Sequence, residues 1–168
     1  MSAAATIPAL AVVVRDATDR LARLARIVAP PVLRIALAVP FFRSGLTKWD
    51  GVLSLSPAAS YLFEDEFKLH VLGQAYDLPW PAALAVLDGV AEIVLPVLLV
   101  AGLATRLSAL GLLAMTAIIQ LVVPDGWANF HLPWAAMAIA IIALGPGPVS
   151  LDRLVALFSR KAEGADEQ

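Results

Sequence analysis

The 168 residues are 60% hydrophobic and 15% charged, with a mean hydropathy of +0.82, against roughly 45–50% apolar and about 25% charged residues in a soluble domain. That balance speaks against a water-soluble globule and for one compact membrane domain. The lack of cysteine excludes disulfides, thiolate metal sites and thiol nucleophiles carried by the chain. A net charge of −2 without a basic stripe gives no footprint for nucleic acid.

In chain order, residues 1–27 lack the basic start and small-residue cleavage site of a signal peptide. Leu10, Val14, Ala17, Leu21, Leu24 and Val28 share one helical face, while Asp16 with Arg20 and Asp19 with Arg23 form acid-before-base pairs four apart. This pattern predicts an amphipathic helix along the cytoplasmic interface, its arginines near anionic lipid. The first span is predicted from Val28 to Leu46; it contains Arg34 and Arg43, and Pro40 should kink it. In the long loop that follows, Ser56 and Pro57 mark the start of a short amphipathic cap helix on the periplasmic face, running through Leu72 and stopped by Gly73.

The second span, Pro79 to Ala104, is the clearest apolar run, interrupted by Asp88 and Glu92. The third, Leu107 to Val123, stops at Pro124, Asp125 and Gly126. The fourth, Leu132 to Gly145, is short and closes on Gly145, Pro146, Gly147 and Pro148. Ala136 and Ala140 stand at small-xxx-small spacing for close helix contact. The fold class is therefore all-α: a membrane-embedded four-helix bundle over residues 28–155, with an N-terminal surface helix, a periplasmic cap helix and a polar cytoplasmic tail at 156–168.

Basic residues set the orientation. Arg15, Arg20, Arg23, Arg26, Arg106, Arg153, Arg160 and Lys161 fall on one side and only Lys48 and Lys68 on the other, which predicts both termini in the cytoplasm of a bacterial inner membrane. Trp49, Trp80, Trp127 and Trp134 fall at or near the opposite ends of the spans, as interfacial tryptophans do.

Charges inside a span are functional candidates, since each costs several kcal/mol unless paired or wetted. Asp88 and Glu92, four apart, share a face of the second span. Helical rise puts Arg43 about 20 Å from one end of its span and Asp88 about 12 Å from the other, at similar depth. Arg43 is thus expected to pair with Asp88, and Arg34 to reach Glu92. Two readings stand: a polar cluster that binds a ligand or relays protons, and interhelical ion pairs that dock the two spans. His70 and His131 lack metal-motif spacing and read more readily as interfacial hydrogen bonders than as metal ligands. Met115 and Met137 read as apolar packing.

Arg34 followed by Gly45 and Lys48, Glu92, the turn GLATR from Gly102 to Arg106, and GPGPVSLDRL from Gly145 to Leu154 together resemble the DoxX family of small bacterial four-helix membrane proteins, over roughly residues 30 to 155. The resemblance singles out Arg34, Lys48, Glu92 and Arg106; with Arg43 and Asp88 they make up the candidate polar cluster. It further implies a membrane accessory or subunit of a redox or stress-response system, with quinone as the interacting molecule and the bilayer, membrane or periplasmic proteins, or a second copy as partners. The alternative is a small proton-coupled transporter or permease component using Asp88 and Glu92. No nucleophile–base arrangement or cofactor fingerprint marks an enzyme.

Overall fold

The computed structural model describes residues 3–51 and 54–166, with side chains between residues 11 and 159. Leu10 of the N-terminal face, Arg160 and Lys161 of the charge pattern, and the last two residues of the tail lie outside the described side chains or backbone. Four helical stretches are long and apolar enough to cross a membrane, Ala11–Thr47, Pro81–Ala101, Thr105–Val122 and Pro124–Leu144. The protein is a multi-pass membrane protein.

The first helix, α1, runs unbroken from Ala3 to Thr47, so the expected surface helix and the first span are one element. No glycine stands between Arg26 and Leu33 to stop it. Pro30, Pro31 and Pro40 each withhold one backbone donor, and the helix continues through all three. Its buried positions, Pro30, Arg34, Leu37, Ala38, Phe41 and Gly45, recur every three or four residues along one face. Val32, Ile35, Val39 and Leu46 point outward, where lipid covers them.

The connection to the next span differs from the expected cap helix. Helix α2 covers only Pro57–Tyr61; Ser56 Oγ accepts the Ala59 N–H at 3.2 Å, and a wider turn, Leu62–Glu66, follows. Strand β1 (Lys68–Val71) then pairs antiparallel with β2 (Gln74–Asp77). The helix cannot reach Gly73 because Leu72 (φ 51°) and Gly73 (φ 79°) both take the left-handed conformation of a two-residue hairpin turn. The hairpin and an isolated antiparallel bridge between Trp49 and Leu55 are the departures from all-α among the described residues.

Helices α3 (Pro81–Ala101), α4 (Thr105–Val122) and α5 (Leu132–Leu144) complete the bundle, and α6 (Leu151–Asp166) follows the Gly-Pro turn. Two short helical turns, Pro124–Gly126 and Trp127–His131, precede α5 and lengthen the fourth span. Buried residues of α3 fall at Ala85, Gly89, Glu92, Pro96 and Leu99, and those of α4 at Thr105, Ser108, Ala109, Leu112 and Thr116. In α3 the steps alternate between four and three, and in α4 the residues cluster at one to four apart, so each set makes a stripe on one helical face. The core joins Leu37, Phe41, Leu99, Leu112 and Ile141. Lipid is as apolar as these side chains, so shape fit and dispersion hold them together. In α5 the buried small residue is Ala138, while Ala136 faces outward; the expected Ala136/Ala140 contact is shifted to the face of Ala138 and Ile141. Met115 and Met137 pack against the core.

Candidate functional site

Two glycines set the register of α1 on α3. A Cβ on Gly45 would lie 2.9 Å from Glu92 Cβ, and one on Gly89 would lie 2.9 Å from the Trp49 ring. Both contacts require hydrogen in place of a side chain. The Trp49 indole Nε1 also donates to the Gly89 carbonyl at 3.4 Å. This register carries Lys48, just past the end of α1, onto the face of α3 that holds Asp88 and Glu92. Lys48 Nζ donates to Ser44 Oγ at 3.2 Å and to Glu92 Oε2, and lies 2.9 Å from Asp88 Oδ2. Glu92 is buried, whereas the Asp88 side chain keeps about a quarter of its surface.

The expected partners of these carboxylates are therefore corrected. Lys48, not Arg43, pairs with Asp88, and Arg34 does not reach Glu92. Counting rise from each span's predicted start assumed that both helices begin at matching planes; α1 instead stops alongside Gly89, more than two turns into α3. Arg43 is exposed on the outer surface of α1. Arg34 lies at the end that holds both termini, where its guanidinium donates to the carbonyls of Pro146 at 3.0 Å and Val149 at 2.8 Å. Arg106 Nε donates to the Ile142 carbonyl at 3.1 Å and the side chain lies over Gly145. Of the six candidates, Lys48, Asp88 and Glu92 come together; Arg34 and Arg106 grip the turn after α5.

The grip has a partner that sequence reading missed. The Asp152 carboxylate accepts the N–H groups of Ala104 at 2.7 Å and Thr105 at 2.9 Å, capping α4, while its own N–H donates to the Gly102 carbonyl at 2.8 Å. Burial alone would lift the Asp152 carboxyl, but the backbone donors, the Thr105 hydroxyl and the Arg34 charge outweigh it and hold the group below the usual carboxylate range. Its place in the run Ser150, Leu151, Asp152, opening a helix, was the available signal.

A cavity of about 290 Å³ adjoins the Lys48 cluster. Phe41, Met115, Ile119 and Trp134 line it from the bundle, and Phe63, Phe67 and Leu78 roof it from the cap. Its polar wall is Ser44, Lys48, Asp88 and Glu92. Leu87 and Ile118 line it yet are exposed on the outside, so its mouth opens between α3 and α4 toward the bilayer. The aromatic lining was not foreseen, because Phe63 and Phe67 belong to a loop whose folding over the bundle leaves no periodic signal.

The histidines take separate places. His70 of β1 is hydrogen-bonded through Nδ1 to the Leu121 carbonyl at 3.2 Å, pinning the hairpin to the end of α4. His131 is buried, its Nδ1 2.6 Å from Gln120 Oε1 and its ring against Trp134. No group of three or more His, Asp or Glu side chains is arranged to hold a metal ion among the described residues.

A family model described as DoxX matches residues 29–125, more than half of the chain. An uncharacterized protein of Haemophilus influenzae is 28% identical over 139 residues, covering 74% of this chain and 81% of its own length. No solved structure matches significantly.

Proposed function

This chain belongs to the DoxX family, and we propose that it acts in a bacterial inner membrane, both termini cytoplasmic, as an accessory or subunit of a redox or stress-response system that holds a quinone-class molecule. The observation that carries this reading is the apolar cavity whose polar wall is one ammonium set against two carboxylates. Ligand sites commonly take this form, an apolar chamber with a few convergent polar groups. The lateral mouth suits a ligand that arrives dissolved in lipid.

The residues present fit such a molecule. Phe41, Phe63, Phe67 and Trp134 offer ring contacts to a flat apolar body. Lys48 can turn its longest hydrogen bond, that to Ser44, toward a carbonyl. Asp88, with an oxygen beyond the one facing Lys48, can accept from a hydroxyl. One cation against two acids leaves acceptor capacity in surplus, which favours a head that donates. A quinone, when bound, supplies two-electron, two-proton carrier chemistry; the chain contributes binding, orientation and a place for protons at carboxylate oxygens.

The test uses full-length protein purified in mild detergent and titrated with a short-chain quinone and its quinol, read by quenching of tryptophan emission at the cavity. Saturable quenching by wild type, weakened at least about tenfold in Glu92→Gln that still accumulates in the membrane, supports the reading. Unsaturable quenching, or equal affinity in the variant, sinks it. The orientation is tested by labelling single cysteines at Ser2 and Leu72 in intact cells, where reaction at Ser2 would reverse it.

A further inference from the structure

The projecting part of α1 carries an apolar stripe that nothing in the described chain covers. Inside the bundle, Pro30, Arg34, Leu37, Phe41 and Gly45 face inward, and Val32, Ile35, Val39 and Leu46 face the opposite way, into lipid. Counted from Val32 toward the N-terminus in steps of four and three, Val28, Leu24, Leu21, Ala17 and Val14 prolong that outward line. Every side chain from residue 11 to residue 28 is exposed, so the stripe runs bare past the end of the bundle.

Lipid does not cover it there. Six charged residues from Arg15 to Arg26 keep that part of the helix out of hydrocarbon. Nor does α1 have a break that would let it lie flat in the interface while residues 30–45 are packed in the bundle. The spacing of Val14, Ala17, Leu21, Leu24 and Val28 is that of a coiled-coil seam, with Val14, Leu21 and Val28 at the first core position of the heptad and Ala17 and Leu24 at the second. Leu10 extends the series in the sequence. β-Branched residues at the first position with leucine at the second favour two parallel strands, and two copies inserted in one membrane with the same orientation present their α1 helices parallel. The charges do not oppose this. Arg15, Asp19, Arg23 and Arg26 lie on the far face, one edge of the seam holds Thr18 and Ala25, and only Arg20 is charged at the other.

We propose that two copies of this chain pair through this stripe, their α1 helices running parallel as a short coiled coil beyond the membrane. A different protein would have to bring a matching seam in the same orientation, whereas a second copy brings one by identity. The seam is short, but each helix is already formed and held by its bundle, so pairing orders little that is still free. The stripe lies outside the lining of the cavity and stands whatever ligand that cavity takes.

The chain has no cysteine, so single introduced cysteines report contacts directly. Full-length protein in cell membranes carrying Val14→Cys, Ala17→Cys, Leu21→Cys or Leu24→Cys is oxidised with copper phenanthroline, beside Arg15→Cys, Asp19→Cys and Arg26→Cys on the far face. Disulfide-linked dimers are expected at the four stripe positions, at least about tenfold more than on the far face. Leu21→Asp combined with Leu24→Asp should abolish the Val14→Cys link while the protein still accumulates, since neither leucine touches the bundle; should the double variant fail to accumulate, the cysteine profile still decides the matter. Equal linking on both faces, or no link at stripe cysteines that react with a maleimide, overturns the proposal. So does a link to a protein of another mass, or a Val14→Cys link unchanged by the two aspartates.

Discussion

The two ends of the bundle use the same kinds of residue to opposite effect. At the termini end, Arg34 and Asp152 find main-chain partners: carbonyls of the turn for the guanidinium, N–H groups of α4 for the carboxylate. At the loop end, Lys48 faces two carboxylates beside a cavity, and Asp88 stays partly open. A charge bonded to the main chain fixes the path of that chain. A charge bonded to other side chains at a cavity wall can be rearranged by whatever enters. The two sets of charges thus differ in the type of partner they hold.

That contrast can be broken by substitution. Arg34→Ala should be the most damaging change, leaving the Pro146 and Val149 carbonyls unpaired and costing on the order of 3 kcal/mol; accumulation in membranes and the thermal midpoint in detergent report it. Gly45→Ala or Gly89→Ala pushes a methyl against Glu92 or Trp49 and should cost about 1–3 kcal/mol, with a shifted Trp49 emission in the second case. Asp152→Asn should cost about 1 kcal/mol at neutral pH, since an amide caps less well than a carboxylate.

The same residue predicts a pH dependence. The folded Asp152 carboxyl titrates below its unfolded value, so its stabilisation is complete above the ordinary carboxylate range and is lost as pH falls through the lowered folded value, below about pH 4. Wild type minus Asp152→Asn midpoints should shrink over that window; a constant difference would show that the cap acts through shape alone. Asp88→Asn should leave the midpoint within about 1 kcal/mol of wild type while weakening ligand binding at the cavity. Asp77→Asn should be the mildest. The Lys68 hydrogen bond and charge hold Asp77 below the usual range, but the pair is at the surface, where such bridges contribute little, and no midpoint change is expected.

Much of the bundle was legible because a lipid-facing helix must be apolar on nearly every face: the four spans and the turn after Val122 show in hydropathy and in Pro and Gly positions. The pairing of charges was not. Hydropathy gives the length of a span and leaves its offset against its neighbour open, and that offset is set by Gly45 on Glu92 and Gly89 beneath Trp49. A shift of five residues, about a turn and a half, exchanges Arg43 for Lys48. The hairpin was hidden for another reason, since Leu72 is an unexpected residue at a left-handed turn position where asparagine is usual. Asp88 and Glu92 were recognisable as a pair from their spacing, while the aromatic roof over them depends on how a loop folds back.

The unbroken α1 carries a mechanical corollary. Its 45 residues make a rod about 67 Å long, roughly twice the hydrocarbon thickness, with Lys48 immediately beyond one end and the segment before Val28 projecting past the bundle at the other. No hinge loop separates the two. Phe41 lies on that same uninterrupted helix and Lys48 directly after it, so the placement of the projecting segment and that of the cavity wall are set together.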